Sequence, residues 1–276
     1  MSLFVASINS GSNGNCYYVG NENEAVLIDA GISCRETVKR MKRIGLSMDK
    51  VKAIFISHEH NDHIRGVEVL AGKYQLPVYI TDATFKNSFV RPNRKLAVHF
   101  TADEPIAVGG LTVYPFTKLH DAIDPHSFMI SNGKINIGVF TDIGEPCEDL
   151  VYHFKQCHAA FLETNYDEEM LMNGRYPIYL KRRISGREGH LSNTQALELF
   201  MKHKPKFMSH IFLSHISKEN NRPDIAAELF SRYAGHTNVL IASRYEESGV
   251  YEIESAYTAE PRSVKVKVMA EQMSLF

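Results

Sequence analysis

Cysteine is scarce in this 276-residue chain, and Cys16, Cys34, Cys147 and Cys157 form no C-x-x-C pair. They read as reduced cytosolic thiols rather than as a disulfide framework. A charge excess is missing too. The 31 Lys and Arg against 32 Asp and Glu leave a net −1, so any electrostatic case for nucleic acid must be local. No apolar run is long enough to cross a bilayer, and residues 1–8 carry no basic n-region, so neither a membrane span nor a signal peptide is expected. A cytoplasmic protein is the expectation. Low-complexity linkers and an obvious sequence repeat are also lacking. What is left, 44% hydrophobic and 23% charged, suffices for a large core in one or two domains.

The chemistry is concentrated in Ser57-His58-Glu59-His60-Asn61-Asp62-His63. An apolar, β-branched run at 51–56 precedes it and reads as a buried strand; 64–70 reads as the start of a helix. His58 and His60, two apart, project to the same side of an extended chain. Asp62 and His63 sit in the turn and can face a second position close by. Three imidazoles and a carboxylate within six residues are ligand chemistry for Zn, Mn or Fe, and the grouping suggests two ions.

The stretch resembles the H-x-H-x-D-H signature of the metallo-β-lactamase superfamily. That pattern also has an early Asp, a further His, a bridging Asp and a late His. Val26-Leu27-Ile28-Asp29, Leu119-His120-Asp121-Ala122, Phe140-Thr141-Asp142-Ile143-Gly144 and Phe212-Leu213-Ser214-His215 supply them in that order. The resemblance implies an α/β fold of the αββα sandwich type, two packed mixed β-sheets with helices outside. It implies His58, His60 and His120 on one divalent ion and Asp62, His63 and His215 on another, with Asp142 bridging. Two Mn²⁺ or Zn²⁺ ions are the expected cofactors. A water shared between them would lose its proton near neutral pH and attack, with Asp62 counted among the catalytic groups. Asp29 is expected to hold an imidazole N–H from behind the ligands.

Taken in order, residues 3–8 and 16–19 read as strands, joined by a loop with two Gly and three Asn. Such a loop can present N–H groups to an anion or simply close a long hairpin. Residues 24–30 read as a third strand, and Ser33-Cys34-Arg35-Glu36 as a capping box with helical spacing behind it. Further strands are expected at 77–80, 111–119, 159–162, 206–213, 239–242 and 249–253. A hairpin over 127–140 should turn at Asn132-Gly133. Helices are expected at 82–89, 146–156, 194–203 and 223–233. This alternation by itself would also allow a doubly wound sheet.

Phe161-Leu162-Glu163-Thr164 and Gly189-His190-Leu191-Ser192-Asn193 look like the glutamate and G-H-S-T elements of RNase Z-type phosphodiesterases. In those enzymes an acid-oriented histidine protonates the leaving alcohol, which implies that role for His190 with Glu163 behind it. The alternative is that His190 only caps the following helix. The tract 179–187, with Arg182, Arg183 and Arg187, is the densest basic patch and precedes His190. It is either a solvated face or a phosphate track.

The loop at 10–15, the 120–125 block, 189–193 and 213–221 together resemble the bacterial YycJ/WalJ group. That implies a metal-dependent phosphodiesterase, a 5′-to-3′ exonuclease on double-stranded DNA; the alternative is a small-molecule phosphodiesterase or thioesterase on the same dinuclear site. The hydrolase domain is expected over 1–257, with a tail at 258–276. Gln272-Met273-Ser274-Leu275-Phe276 resembles the Q-L-[SD]-L-F motif with which bacterial replication and repair proteins bind the DNA sliding clamp, so Gln272, Leu275 and Phe276 are candidate partner-binding residues. A last strand that tucks Leu275 and Phe276 onto the chain's own core is the alternative.

Overall fold

Apolar runs ending in polar tips build two seven-stranded sheets in the computed structural model, which describes residues 2–255. The first sheet takes β1 (Leu3–Asn9), β2 (Cys16–Gly20), β3 (Ala25–Ile28), β4 (Val51–Phe55), β5 (Val78–Tyr79) and β6 (Ala97–Val98). The second takes β7 (Ile106–Val108), β8 (Leu111–Thr117), β9 (His126–Ser131), β10 (Asn136–Phe140), β11 (Ala159–Glu163), β12 (His210–Ser214) and β13 (Asn238–Ile241). The last strand, β14 (Tyr251–Ile253), returns to pair antiparallel with β1. Each sheet runs through three antiparallel pairings, β14-β1-β2-β3 or β7-β8-β9-β10, and then three parallel ones. The two halves thus repeat in topology without an evident repeat in sequence. The doubly wound alternative is excluded, because the strands divide between two mixed sheets.

The inner faces meet in one core, where Tyr17, Val26 and Phe55 face Phe128, Phe161 and Phe212. Tyr17 and Phe161 lie 4.9 Å apart and Phe55 and Phe128 5.7 Å, ring centre to ring centre, so aromatic contacts join the sheets. Outside the first sheet lie α1 (Cys34–Arg43), α2 (Asn61–Ile64), α3 (Val67–Tyr74) and α4 (Asp82–Asn87). Met41 of α1 and Val67, Leu70 and Ala71 of α3 fill a second core there. The other sheet is covered by α5 (Glu148–Phe154), α8 (Asn193–His203) and α9 (Pro223–Ser231), through residues such as Phe154, Phe200 and Phe230. Between them in sequence come α6 (Glu168–Asn173) and α7 (Ile178–Ile184), and α7 buries none of its residues.

Several local readings shift. Ser33 does cap α1, accepting the Glu36 N–H at 3.2 Å, but the Glu36 side chain turns to Arg40 at 3.1 Å. The second hairpin turns over four residues, 132–135, where the Asn132 side chain accepts the Lys134 and Ile135 N–H groups. No helix of the described residues is long and apolar enough to cross a membrane. Gln272, Leu275 and Phe276, and the 258–276 tail, lie outside the described residues.

Candidate metal centre

Parallel strands bring their carboxyl ends to one edge, and polar tips collect there. β3 is followed by Asp29, β4 by the 57–63 loop, β10 by Asp142, β11 ends in Glu163, and β12 is followed by His215. His120 follows β8 and His190 precedes α8. Asp29 and Asp142 occupy corresponding places in the two halves, and both have left-handed backbone, φ 62° and 55°; His215 does too, at 53°. For residues other than glycine this costs roughly 1 kcal/mol each, and such strain collects at functional sites. Specific bonds hold it. Asp29 N–H donates to Phe55 O at 2.8 Å, buried Lys118 Nζ to Thr141 O at 2.7 Å, and His215 N–H to Ser10 Oγ at 2.8 Å. Gly31 permits the close approach of the β3 loop to the 57–63 loop, since a Cβ there would lie 1.6 Å from Asp62 O.

The side chains gather into two adjoining groups. His58, His60 and His120 form one, with His58 Nε2 3.1 Å from His60 Nδ1; Asp62, His63 and His215 form the other. Asp62 Oδ2 lies 3.6 Å from Nε2 of both His63 and His215. Asp142 stands between the groups. Its Oδ2 is 3.1 Å from His63 Nε2, and its Oδ1 is 3.5 Å from His215 Nε2 and 3.8 Å from His120 Nε2. His60, Asp62, His120, Asp142, His190 and His215 line a common pocket of about 180 Å³.

Behind the rings, other groups fix the tautomers. His63 Nδ1 donates to Asp29 Oδ2 at 2.7 Å, His120 Nδ1 to Gly189 O at 3.0 Å and His215 Nδ1 to Glu163 Oε1 at 2.9 Å. Ser57 Oγ donates to Asp29 Oδ2 and so can accept from His58 Nδ1, both at 2.9 Å. In the neutral ring each Nε2 is thereby left as a lone pair facing the cluster, the arrangement that second partners impose on metal-ligating imidazoles. Buried His120 Nε2, His215 Nε2 and Asp142 Oδ2 have no hydrogen-bond partner among the described residues. Such orphans cost about 1–3 kcal/mol each, and with the rings neutral acceptors face acceptors across 3–4 Å gaps that a cation would bridge. Nitrogen and carboxylate donors in this number suit a divalent metal ion. The residues fit a metal centre.

Protons occupy part of that role when the centre is free of metal. Burial pulls His63 and His215 toward neutrality, but the surrounding Asp142, Asp29, Asp62 and Glu163 carboxylates outweigh it. His63 is raised well above the ordinary histidine range and His215 to about 10. Burial, aided by His63 and then Lys118, pushes His58 well down; burial takes His120 down to about 3 against the pull of Asp142. Loading with metal at pH 7 should therefore expel about two protons, from His63 and His215, while His58 and His120 give none. Affinity should then rise with pH toward 10. Calorimetry in buffers of different ionisation enthalpy measures this, and buffer-independent heats would contradict it.

His190 Nδ1 donates to Glu163 Oε1 at 2.8 Å and the ring borders the pocket. The α8 cap is Ser192, which forms a reciprocal capping box with Gln195, so His190 is not needed as a cap. Burial raises the Glu163 carboxyl, but His190 and His215 outweigh it and hold its pKa at about 2. Of the three arginines, Arg183 borders the pocket and pairs with Asp121, Arg187 pairs with Glu145 at 3.2 Å, and Arg182 has no acidic partner among the described residues. Sequence reasoning passed over Ser57, Lys118 and Asn165, whose Nδ2 donates to His215 O at 2.9 Å. Lys118 left a signal: it stands two before His120 at the end of an apolar strand.

The profile described as "Beta-lactamase superfamily domain" matches residues 24–216. The chain belongs to that superfamily. Within it, the exodeoxyribonuclease YycJ of Bacillus anthracis is 34% identical over 231 residues, 82% of this chain and 87% of the relative. The exodeoxyribonuclease WalJ of Streptococcus pneumoniae is 30% identical over 222 residues, 79% and 82% of the two chains. The metallo-β-lactamase fold protein YhfI of Bacillus subtilis superposes with a TM-score of 0.70 at 16% identity, covering 91% of this chain and all of that one. The chain is a superfamily member of the YycJ/WalJ group and a metal-dependent hydrolase.

Proposed function

We propose that this hydrolase is a phosphodiesterase on nucleic acid, a 5′-to-3′ exonuclease on double-stranded DNA. The observation that carries the reading is the His190–Glu163 pair set beside the ligand cluster, with the His190 ring centre 5.2 Å from that of His120 and 5.3 Å from that of His215. A departing alkoxide is strongly basic, and an imidazole whose Nδ1 is fixed on a carboxylate can deliver a proton from Nε2. A thioester has less need of it, because a thiolate is a far weaker base than an alkoxide and leaves without a proton. The names of the YycJ and WalJ relatives support a DNA substrate. His58, His60, Asp62, His63, His120, Asp142 and His215 would hold two divalent ions, Mn²⁺ or Zn²⁺. Bound there, such ions neutralise phosphoryl oxygens and activate a water as nucleophile. Asp29 and Ser57 keep the rings of His58 and His63 in register, and Glu163 does so for His190 and His215 together. The test is incubation of the purified chain with end-labelled duplex DNA, single-stranded DNA and RNA in Mn²⁺, Mg²⁺ or Zn²⁺. Stepwise loss of the 5′ label from duplex DNA is expected. Cleavage of a small phosphodiester with none of duplex DNA would assign the site to a small-molecule hydrolase instead.

Substrate grip is expected from Arg182, Arg183 and Arg187. Replacing all three with neutral residues should weaken DNA binding and lower its salt slope by up to about 0.9 for each phosphate no longer neutralised. Arg182 should contribute most, because Arg183 and Arg187 must first leave Asp121 and Glu145. Hydrolysis of a small phosphodiester should change little. Unaltered affinity and slope in titrations over a range of salt would leave the tract a solvated face.

A further inference from the structure

A second cleft lies at the far end of α7 from the metal pocket. It has a volume of about 520 Å³ and is lined by Met170, Gly174, Arg175, Tyr176, Glu219 and Asn220. That volume is within the usual range of small-ligand sites. Asn220 is the unusual member. It is only 1% exposed, yet neither its Oδ1 nor its Nδ2 has a hydrogen-bond partner among the described residues. Its backbone is fully engaged, the N–H donating to Ser217 Oγ at 3.2 Å and the carbonyl accepting from Asp167 N–H at 2.9 Å. The side chain is thus presented from a fixed frame. Gly174 keeps a side chain from crowding it on the cleft side, since a Cβ at that position would stand 2.9 Å from Asn220 Oδ1.

We propose that this cleft takes an unpaired nucleobase of the strand being cleaved, an assignment that rests on the nucleic-acid function proposed for the metal site. A carboxamide offers one acceptor and one donor side by side, the complement of a base edge. Tyr176, half-buried on the cleft wall, supplies a ring on which any base can stack, and exposed Arg175 supplies a cation for the adjoining phosphate. The cleft is tied to the metal site twice. Asn220 follows His215 by five residues, and α7 begins two residues after Tyr176 and ends at Ile184, which borders the metal pocket. Its seven residues span about 10 Å, roughly the axial rise of three nucleotides in a stacked strand. Between the two clefts α7 carries Lys181, Arg182 and Arg183, and it buries no residue that would make it a packing element.

The experiment scans an abasic site along a single-stranded overhang and follows both cleavage, in Mn²⁺, and binding of the same strands by anisotropy. With the unaltered chain, one abasic position roughly three nucleotides from the cleaved bond should lower affinity and cleavage roughly 10-fold relative to its neighbours. Tyr176→Ala should erase that dip by weakening the intact strand, Tyr176→Phe should restore it, and Asn220→Asp should reduce it. Hydrolysis of bis(4-nitrophenyl) phosphate should be the same in all of them. If intact strands bind and are cut but the scan is flat, the base site is overturned and the nuclease function stands. If the chain neither binds nor cuts any nucleic acid while hydrolysing the small ester, both fall together.

Discussion

Asp142→Ala should leave the purified chain with less bound metal and without measurable phosphodiester hydrolysis. Asp142 is the carboxylate that reaches toward both ligand groups, His63 and His215 on one side and His120 on the other. Losing only a hydrogen-bonding partner of a metal ligand costs about 10–100-fold in affinity or activity, and losing a charged donor shared by two groups costs more. The charge balance changes as well. Burial opposes ionisation of Asp142, but His215 and His63 hold its pKa well below the carboxylate range, so it is an anion at neutral pH. Without that anion the pocket retains clustered nitrogen donors with less negative charge to bind a cation. Alanine in left-handed backbone also costs roughly 1 kcal/mol, so Asp142→Asn, which tolerates that conformation, should accompany it. Both variants should lose metal by elemental analysis and lose turnover together, with unchanged circular dichroism. Full activity in a metal-stripped sample, or in Asp142→Asn, would remove the metal-centred mechanism.

How far the sequence discloses this site depends on which interactions are local. The strands that deliver the candidate ligands are legible because parallel strands buried on both faces read as apolar runs, and Val51–Phe55 and His210–Ser214 each end next to imidazoles. Short edge strands escape. Ala97–Val98 is partly exposed and two residues long, too little to leave a period. α7 escapes for a related reason: the helix buries nothing, so its apolar and basic residues follow no inward face, and the tract 179–187 reads only as charge. The doubled topology is invisible because strand order repeats while residues do not. What does correspond is a conformation, the left-handed Asp29 and Asp142 after equivalent strands, and backbone angles are not written in residue types other than glycine. The supports behind the imidazoles belong to the same class. Ser57 joins Asp29 to His58, and Glu163 joins His190 to His215, through hydrogen bonds between residues up to 52 apart in sequence.

The shared Glu163 also makes the last prediction separable. His190→Ala should reduce turnover on DNA by ~10²–10⁴-fold, the usual contribution of a positioned general acid. Metal content should stay the same, because Glu163 Oε1 still accepts from His215 Nδ1 and so keeps that ring's Nε2 turned to the pocket. Glu163→Gln is the contrasting variant. It removes the carboxylate from both rings at once, so it should lose the acid's orientation and also part of the metal. The leaving group supplies the control. A nitrophenolate departs without a proton, so the His190→Ala defect should shrink on bis(4-nitrophenyl) phosphate, whereas a defect in positioning metals or water would persist. Measured side by side, a large loss on DNA with a small loss on the nitrophenyl ester places His190 at the leaving oxygen. Equal losses on the two substrates would instead make His190 a structural neighbour of Glu163 and take proton delivery out of the mechanism.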